Sequence, residues 1–343
     1  MSFVVAVVGA TGAVGREMIR TLEERKFAVS RLVLLASKKS AGKSLTFAGR
    51  AVTVDELKPS SFAGVHLALF SAGASVAREY APIAAQAGAL VVDNSSAWRM
   101  DDQCPLVVPE VNLAAAAQRP KGIIANPNCS TIQMVVALKP LHDAAKIRHI
   151  VVSTYQATSG KGQAAVDELV AQTRTFAEGR APEGKVFPGV ILHNLLSDWK
   201  AGDKDYSEEE WKMVNETRKI LGDPTIGVSP TTVRVPVKNG HAESVHVQFA
   251  RPMSAAEAKS LLARAPGVVL MDEAYAPGRH PQPAQASGTD AVYVGRVRDD
   301  LAVAGALNLW IVSDNLRKGA ALNAVQIAEL VLARSIGTTL SPP

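Results

Sequence analysis

Cysteine is scarce in this chain of 343 residues, which contains only Cys104 and Cys129. Two cysteines are too few for a disulfide scaffold or for a structural zinc site with four thiolate ligands. We therefore expect two free thiols, a reducing compartment such as the cytoplasm, and no bound metal.

Long apolar runs and concentrated charge are missing as well. The N-terminal apolar run lacks a basic leader and is interrupted at Gly9, so no secretory signal is expected. The longest later uncharged run, residues 122–138, contains two asparagines and a proline, which do not suit a helix in a bilayer. The formal net charge is only +5, and the basic residues are mixed with acidic ones. We therefore expect neither a membrane nor a nucleic acid as a partner.

The rest of the composition is that of a globular protein, because 47% of the residues are hydrophobic and the length suits two domains. In the first 130 residues, short apolar runs alternate with helical patterns. Strands are predicted at Val4–Val8, Leu32–Ala36, Val65–Phe70, Leu90–Asp93 and Gly122–Ala125. Strands that are apolar throughout and separated by helices indicate a parallel sheet covered on both faces, which is a doubly wound α/β domain.

The pattern changes after Cys129, where several runs alternate polar with apolar residues, as half-buried antiparallel strands do. Helices are predicted from Ser130 to Ala145 and from Asn315 to Ile336. The segment 187–205 predicts only a surface excursion. Strands are predicted at His149–Tyr155, Thr231–Val237, Ser244–Phe249, Val268–Met271, Ala291–Arg298 and Leu301–Val312.

Three glycines lie in the turn GATGAVG between the first strand and the first helix, as Gly9, Gly12 and Gly15. Glycine permits a tight turn and lets a pyrophosphate approach the backbone at the N-terminus of the helix. The alternative is an ordinary strand–helix turn without a ligand. The position after the first strand of a βαβ pattern favours a dinucleotide site.

The second strand ends in a sequence that bears on the choice of dinucleotide. An NAD site usually has an acid there for the ribose 2′-hydroxyl. This chain has two lysines and two hydroxyls instead, Ser37-Lys38-Lys39-Ser40. Such groups suit a 2′-phosphate, so the sequence predicts NADP rather than NAD. The alternative is a solvated basic loop.

Cys129 follows Asn126-Pro127-Asn128 and stands at the start of a predicted helix. Unpaired N–H groups and the helix dipole stabilise a thiolate there, and a thiolate beside a nicotinamide is a nucleophile for acyl chemistry. The alternative is an inert buried thiol, which is our interpretation of Cys104. His241 lies in a glycine turn between two strands and is the candidate proton shuttle. His193 and His280 stay open as alternatives.

Four motifs taken together resemble the aspartate-semialdehyde dehydrogenase family, in order from Val4 to about Arg334. They are the GATGAVG turn, Asn126–Thr131, Gln156–Gly162, and Arg234 followed seven residues later by His241. The family reduces L-4-aspartyl phosphate with NADPH to aspartate semialdehyde and phosphate. This reaction serves the biosynthesis of lysine through diaminopimelate, and of methionine, threonine and isoleucine.

The resemblance implies an architecture like that of glyceraldehyde-3-phosphate dehydrogenase. A Rossmann-type NADP-binding domain would comprise residues 1–128 and 315–343, with a returning C-terminal helix. An α+β catalytic and dimerisation domain with a mixed sheet would comprise residues 129–314. The expected assembly is a homodimer, or a tetramer built from dimers.

The resemblance also implies catalytic roles for three residues. Cys129 would attack the acyl phosphate to form a thioester. His241 would be the general acid and base, with a pKa near the operating pH. Gln156 would orient the acyl group by donating to the developing oxyanion.

Substrate and cofactor contacts are implied as well. Arg99 and Lys212 would bind phosphate, and Arg234 the α-carboxylate. Glu209 would bind the amine, although the run Glu208–Glu210 leaves its register open. Lys39 stands where many relatives have arginine, which keeps the charge but loses the planar fork. The implied cofactor contacts are Gly9, Thr11, Gly12, Ala13, Val14, Ser37, Lys39, Ser40, Ser71, Gly73, Ser159, Gly160 and Asn315.

Two other functions stay open at this point. N-acetyl-glutamyl-phosphate reductase uses the same thiol chemistry on an acylated amine. Glu209 with Arg234 favours the free amino acid instead, because an ammonium group needs an acid. The second alternative is a non-catalytic NADP-binding paralogue, against which Cys129, Gln156 and His241 argue.

Overall fold

The computed structural model describes residues 2–197, 199–272 and 278–335. The chain forms two compact units. One comprises the residues up to Asn128 and the segment that begins at Ala320, and the other comprises Cys129–Gly319. Within the described residues, no helix is long and apolar enough to cross a membrane. Nor does that part of the chain bring together three His, Cys, Asp or Glu side chains that could hold a metal ion.

The first unit is built on a seven-stranded sheet with the order β3-β4-β2-β1-β5-β6-β7. All neighbouring strands are parallel except the β3–β4 hairpin. The strands are β1 Phe3–Val8, β2 Val29–Ala36, β3 Ser44–Phe47, β4 Arg50–Glu56, β5 Leu67–Phe70, β6 Leu90–Asp93 and β7 Ile123–Ala125. Four consecutive residues of β1, from Val5 to Val8, are fully buried, because core lies on both faces of the sheet. This confirms the doubly wound parallel sheet.

Three helices of this unit lie between its strands in sequence. Helix α1 is Ala13–Glu24, α2 is Ala74–Gln86 and the short α3 is Pro109–Asn112. The apolar stripe of α1 buries Met18, Ile19 and Leu22 in one core cluster beside β1 and β2. The N-cap of α1 is Gly12, and no side chain caps this end of the helix. The first backbone N–H groups of α1 therefore lie next to the glycine turn and receive no capping side chain.

The second unit contains a six-stranded mixed sheet with the order β11-β12-β13-β10-β8-β9. Its strands are β8 Ile147–Gln156, β9 Gly227–Arg234, β10 His241–Phe249, β11 Val268–Leu270, β12 Val292–Asp299 and β13 Leu307–Ser313. The pairs β8–β9 and β11–β12 are parallel, and the others are antiparallel. The helices are α4 Cys129–Ala145, α5 Gln163–Ala177, α6 Glu208–Leu221, α7 Ala255–Leu262 and the short α8 Pro283–Ala286. Helix α4 contacts β8, β10, β12 and β13 and so covers the centre of one face.

The predicted strand Leu301–Val312 is wrong in its first half. Residues 301–306 form a turn, and β13 begins only at Leu307. The carboxylate of Asp300 accepts hydrogen bonds from the N–H groups of Ala302 and Val303, each at 2.8 Å. This side chain closes a local turn that competes with strand pairing, and Leu301 is left fully exposed.

The predicted helix Asn315–Ile336 begins later and differently. Asp314 Oδ1 accepts from the N–H groups of Leu316 and Arg317, at 2.8 and 3.0 Å. A π-helical turn, Arg317–Ala321, follows, and the regular helix α9 is Leu322–Ser335. Asn315 therefore precedes the helix and lies in the second unit. Ile336 lies outside the described residues.

Candidate active site

Cys129 and His241 come together in the second unit, although 112 residues separate them in sequence. Cys129 is the first residue of α4, where the helix dipole favours a thiolate. His241 is the first residue of β10 and is fully buried. The distance from Cys129 Sγ to His241 Nε2 is 3.2 Å. The structure thus forms the thiol–imidazole pair that the motifs predict.

The second nitrogen of the His241 ring fixes the position of its proton. The backbone N–H of Ala157 donates to Nδ1 at 3.0 Å, which requires the lone pair of that atom. The neutral ring therefore carries its proton on Nε2, the atom that faces Sγ. Burial, assisted by the charge of Arg234 and opposed by Glu209, lowers the pKa of His241 to about 3. The expectation of a pKa near the operating pH is wrong, because burial keeps the ring neutral.

Gln156 connects the start of α4 with the start of α6. Its Nε2 donates to Ser130 Oγ at 2.6 Å and to Glu209 Oε1 at 3.3 Å. The other oxygen of Glu209 accepts from Lys212 Nζ at 2.8 Å. Donation from Gln156 to an oxyanion, the expected role, therefore requires that one of these two bonds be exchanged. Ser130 is a member of this chain of contacts that the sequence did not single out.

Only one of the three consecutive glutamates faces this chain of contacts. Glu208 pairs with Lys200 on the surface. Glu210 closes the capping box of α6 with Ser207 and also accepts from the N–H of Thr232. Glu209 is the glutamate that contacts Gln156, and it is nearly buried. The geometry of the helix start thus separates three residues that look alike in sequence.

Arg234, the last residue of β9, is nearly buried beside the thiol. Its Nη1 donates to the backbone oxygen of Ala157 at 2.5 Å. Burial lowers the pKa of Arg234, and the negative charges of Cys129 and Glu209 oppose that shift. A Cβ at position 160 would lie 2.8 Å from Arg234 Nη1 and 3.0 Å from His241 Cε1. Gly160, expected at the cofactor, thus permits a close approach to the arginine and the histidine.

Ser159 and Asn315, two further expected cofactor contacts, bond to each other. Asn315 Nδ2 donates to Ser159 Oγ at 2.9 Å, and Asn315 Oδ1 accepts from the N–H of Gly240 at 2.9 Å. These bonds hold the turn that precedes His241. Another residue that the sequence did not single out, Gly319, lies against the nucleophile, since a Cβ there would be 2.9 Å from that of Cys129.

The glycine turn of the first unit has the shape of a phosphate cradle. Gly9 has a φ of +83°, and a Cβ on it would lie 2.4 Å from the backbone oxygen of Ser71. A Cβ on Gly15 would lie 2.2 Å from the backbone oxygen of Gly9. Thr11 lies in this turn, and Ala13 and Val14 begin α1. The turn thus requires glycine and brings backbone amides to an open helix end.

The remaining expected ligand residues of the first unit are spread over three loops. Ser37 and Lys39 are exposed and Ser40 is half-buried, at the turn that follows β2. No described acid forms an ion pair with Lys38 or Lys39. Gly73, with a φ of +85°, is the N-cap of α2. Arg99 is nearly buried, and its Nη2 donates to the backbone oxygen of Asn94 at 2.9 Å. Cys104 is fully buried.

A buried carboxyl lies two residues beyond His241 on the same face of β10. Glu243 is fully buried, and neither of its oxygens has a hydrogen-bond partner among the described residues. Burial raises the pKa of Glu243 well above its ordinary value; the nearby amide of Gln133 opposes this shift but does not meet the geometry of a hydrogen bond. The folded chain therefore favours the neutral acid, and the unfolded chain releases its proton near the ordinary pKa.

We expect Glu243→Gln to stabilise the fold increasingly as the pH rises. Below the ordinary glutamate pKa both states are protonated, so the raised pKa costs nothing. Above it only the unfolded state ionises, so the parent loses up to about 1.4 kcal/mol per pH unit. Thermal midpoints measured from pH 5 to pH 8 should diverge in favour of the variant, by up to about 2 °C per unit. Parallel curves for parent and variant would contradict a raised pKa.

Comparisons with known proteins identify both units. Residues 4–119 match the family described as semialdehyde dehydrogenase, NAD binding domain, and residues 138–318 match semialdehyde dehydrogenase, dimerisation domain. The aspartate-semialdehyde dehydrogenase of Aquifex aeolicus is 51% identical over 340 residues, which cover 98% of this chain and all of that protein.

Two solved structures are also similar. One is aspartate semialdehyde dehydrogenase II of Vibrio cholerae complexed with ASA, with a TM-score of 0.93 and 48% identity, covering 97% of this chain and 98% of that one. The other is the Candida albicans enzyme with NADP, with a TM-score of 0.77 and 27% identity, covering 98% and 100%.

Proposed function

Because the chain belongs to the aspartate-semialdehyde dehydrogenase family, an oxidoreductase family of amino-acid biosynthesis, we propose that it reduces L-4-aspartyl phosphate with NADPH. The products are L-aspartate 4-semialdehyde and phosphate, and the carrier of the acyl group is a thioester on Cys129. The product would serve the synthesis of lysine, methionine, threonine and isoleucine. The observation that carries this proposal is the 3.2 Å contact of Sγ with His241 Nε2, beside the buried side chains of Arg234 and Glu209, whose charges act on the ring.

The first step uses the thiolate of Cys129. Its Sγ attacks the acyl carbon, the bond to the phosphate oxygen breaks, and the departing phosphate takes up a proton from solvent. The position of Cys129 at the start of α4 stabilises the negative sulfur before attack. We propose Arg99 and Lys212 as the residues that bind the phosphate, as the family resemblance implies, because both are cations.

His241 acts in this scheme as a hydrogen-bond donor. NADPH, when bound, supplies the hydride that reduces the thioester. The Nε2–H of His241 then donates to the acyl oxygen as charge develops there, and to Sγ as the thiolate leaves. The balance requires no net proton gain or loss at the ring, which agrees with a neutral, buried imidazole.

The charges around the thiol favour a free amino acid over an N-acylated one. Arg234 offers a guanidinium to the α-carboxylate, and Glu209 offers a carboxylate to the ammonium group. Both charges are close enough to shift the pKa of His241 in opposite directions. An acetamide has no use for a nearly buried glutamate at this place. This argument supports aspartyl phosphate over N-acetyl-glutamyl phosphate, and the intact pair of Cys129 and His241 argues against a non-catalytic paralogue.

NADP fits the first unit on two observations. The cradle at Gly9 and the uncapped start of α1 suit a pyrophosphate. The turn after β2 offers Ser37, Lys39 and Ser40 to a 2′-phosphate and contains no acid that would repel it. Thr11 to Val14 would hold the pyrophosphate, and the residues after β2 would select the phosphorylated ribose.

The proposed function is tested by the reverse reaction, in which purified chain receives aspartate semialdehyde, phosphate and either NADP⁺ or NAD⁺. Absorbance at the nicotinamide band should rise with NADP⁺, and only when phosphate is present. A preference for N-acetyl-glutamate semialdehyde would transfer the assignment to the N-acetyl enzyme. A higher kcat/KM with NAD⁺ than with NADP⁺ would refute the proposed binding of a 2′-phosphate by the turn after β2.

One face of the six-stranded sheet supports a dimer of two copies. The exposed Val151 and Tyr155 on β8 lie on the face opposite α4, and Val151 stands beside His246 of β10. Exposed apolar side chains on a sheet face are typical of a homodimer interface. We assign this face to a second copy, in line with the match to a dimerisation domain.

We expect Val151→Lys to convert the dimer into a monomer, because each copy would bring an unpaired lysine charge into the proposed interface. Light scattering after gel filtration should give 36.2 kDa for the variant and twice that mass for the parent. Leu301→Lys, the same type of change at a fully exposed turn, is the control and should stay dimeric. A dimeric Val151→Lys chain would place the interface elsewhere.

A further inference from the structure

We propose that Trp199 is a positioning residue for Arg234, and that residues 183–197 are fixed to helix α5 so that this tryptophan reaches the arginine. The inference rests on the proposed function, in which Arg234 binds the substrate α-carboxylate. It assigns a role to a part of the chain that has no recognisable motif.

The contact between the two side chains is a cation–π stack. The guanidinium carbon of Arg234 lies 4.6 Å from the centroid of the Trp199 ring. The indole N–H donates to the backbone oxygen of Thr232 at 2.8 Å, which fixes the ring against β9. A ring on one face of a guanidinium restricts its tilt and leaves the in-plane N–H groups for oxygen acceptors. One of these N–H groups donates to the backbone oxygen of Ala157, and the stacked ring fixes the plane in which the other N–H groups lie.

The segment before Trp199 is held by two nearly buried side chains, one helical turn apart on α5. Glu168 accepts hydrogen bonds from the N–H groups of Lys185 and Val186. Gln172 Oε1 accepts from the N–H groups of Ile191 and Leu192, at 3.1 and 3.0 Å. Its amide nitrogen donates to the backbone oxygen of Glu183 at 2.9 Å. Side chains thus satisfy backbone groups that a loose loop would leave to water.

The same segment then joins the sheet at the level of the arginine. Leu196 and Arg234 exchange both backbone hydrogen bonds, at 2.7 and 3.0 Å, as an antiparallel bridge on the edge strand β9. Phe187, Ile191 and Leu196 bury their side chains against α5. Arg234 is therefore held through its backbone by Leu196 and through its side chain by Trp199. The excursion predicted for residues 187–205 is in this part an ordered support.

The experiment compares Trp199→Leu with Trp199→Phe in the reverse reaction. Leucine keeps the apolar bulk without a π face, so KM for aspartate semialdehyde should rise about tenfold. Phenylalanine keeps a π face and should stay within about threefold of the parent. The values of kcat and the KM values for phosphate and NADP⁺ should stay within about twofold, because Arg234 binds ground and transition states alike. Equal KM values for the leucine and phenylalanine variants, or a fall in kcat alone, would overturn the inference.

Two further measurements keep the inference testable. If Trp199→Leu does not fold, tryptophan with one or more fluorine atoms can be incorporated into the parent, and KM for aspartate semialdehyde should rise with each added fluorine. The same incorporation into Trp199→Phe should leave that KM unchanged. L-2-aminobutyrate, which keeps the α-carboxylate and the ammonium group, reports binding without turnover by calorimetry. If the parent binds L-2-aminobutyrate but does not turn over aspartate semialdehyde, the proposed reaction is wrong and the inference stands. If the parent turns over and Trp199→Leu binds L-2-aminobutyrate as tightly as the parent does, the inference alone is wrong.

Discussion

Replacement of Cys129 by alanine is expected to lower kcat by a factor of about 10⁴ or more, because no other group can form the thioester. The side chain is half-buried and lies against Gly319, so alanine fits the space that the thiol leaves. The affinity for NADPH, measured by fluorescence titration, should stay within about twofold, since the cradle belongs to the first unit.

The matched control is Cys104→Ala, which removes the other thiol of the chain. Cys104 is fully buried in the first unit, and we expect its loss to cost stability but little kcat. A Cys129→Ala enzyme with more than about 1% of the parent kcat would disprove the thioester. Equal losses in both variants would point to damage of the fold instead.

Replacement of His241 by asparagine is expected to lower kcat by about 10²–10³ with little change in KM. Asparagine can still meet the N–H of Ala157 but does not extend to Sγ, so the donor at Nε2 is lost. Glutamine is the informative partner, because its amide nitrogen can occupy the place of Nε2. We expect His241→Gln to recover part of the rate.

The pH dependence separates a neutral donor from a titrating acid and base. A pKa of about 3 means that the His241 ring is already neutral at pH 5 and stays so at higher pH. The kcat profile of the parent should therefore show no limb between pH 5 and 8 that disappears in His241→Gln. A limb near pH 6.5 that is lost in both variants would restore the general acid and base.

The fold was largely predictable because the burial of each strand determines how polar and apolar residues are arranged along it. Apolar runs marked β1, β5 and the first three residues of β6, which have core on both faces. The hairpin β3–β4 escaped prediction because it lies at the sheet edge, where polar residues are tolerated. The turn at Leu301 escaped because one aspartate side chain outweighs an apolar pattern.

The candidate site divides in the same way between local and distant causes. Cys129 was predictable because its environment is the start of its own helix. The proton position on His241 was not, because it depends on a backbone N–H that is 84 residues away in sequence. The role of Trp199 was not predictable either, because its contact with Arg234 depends on hydrogen bonds that attach this part of the chain to α5 and β9.

Ala157 contributes no functional group through its side chain, yet it supports two different tasks. Its N–H holds the His241 ring and its carbonyl oxygen holds Arg234. A small displacement of this residue changes both bonds at once. Arg234, proposed to bind the substrate, and His241, which carries the proton, are thus held by the same residue. A ligand that displaces Arg234 would therefore also alter the hydrogen bond that orients the imidazole.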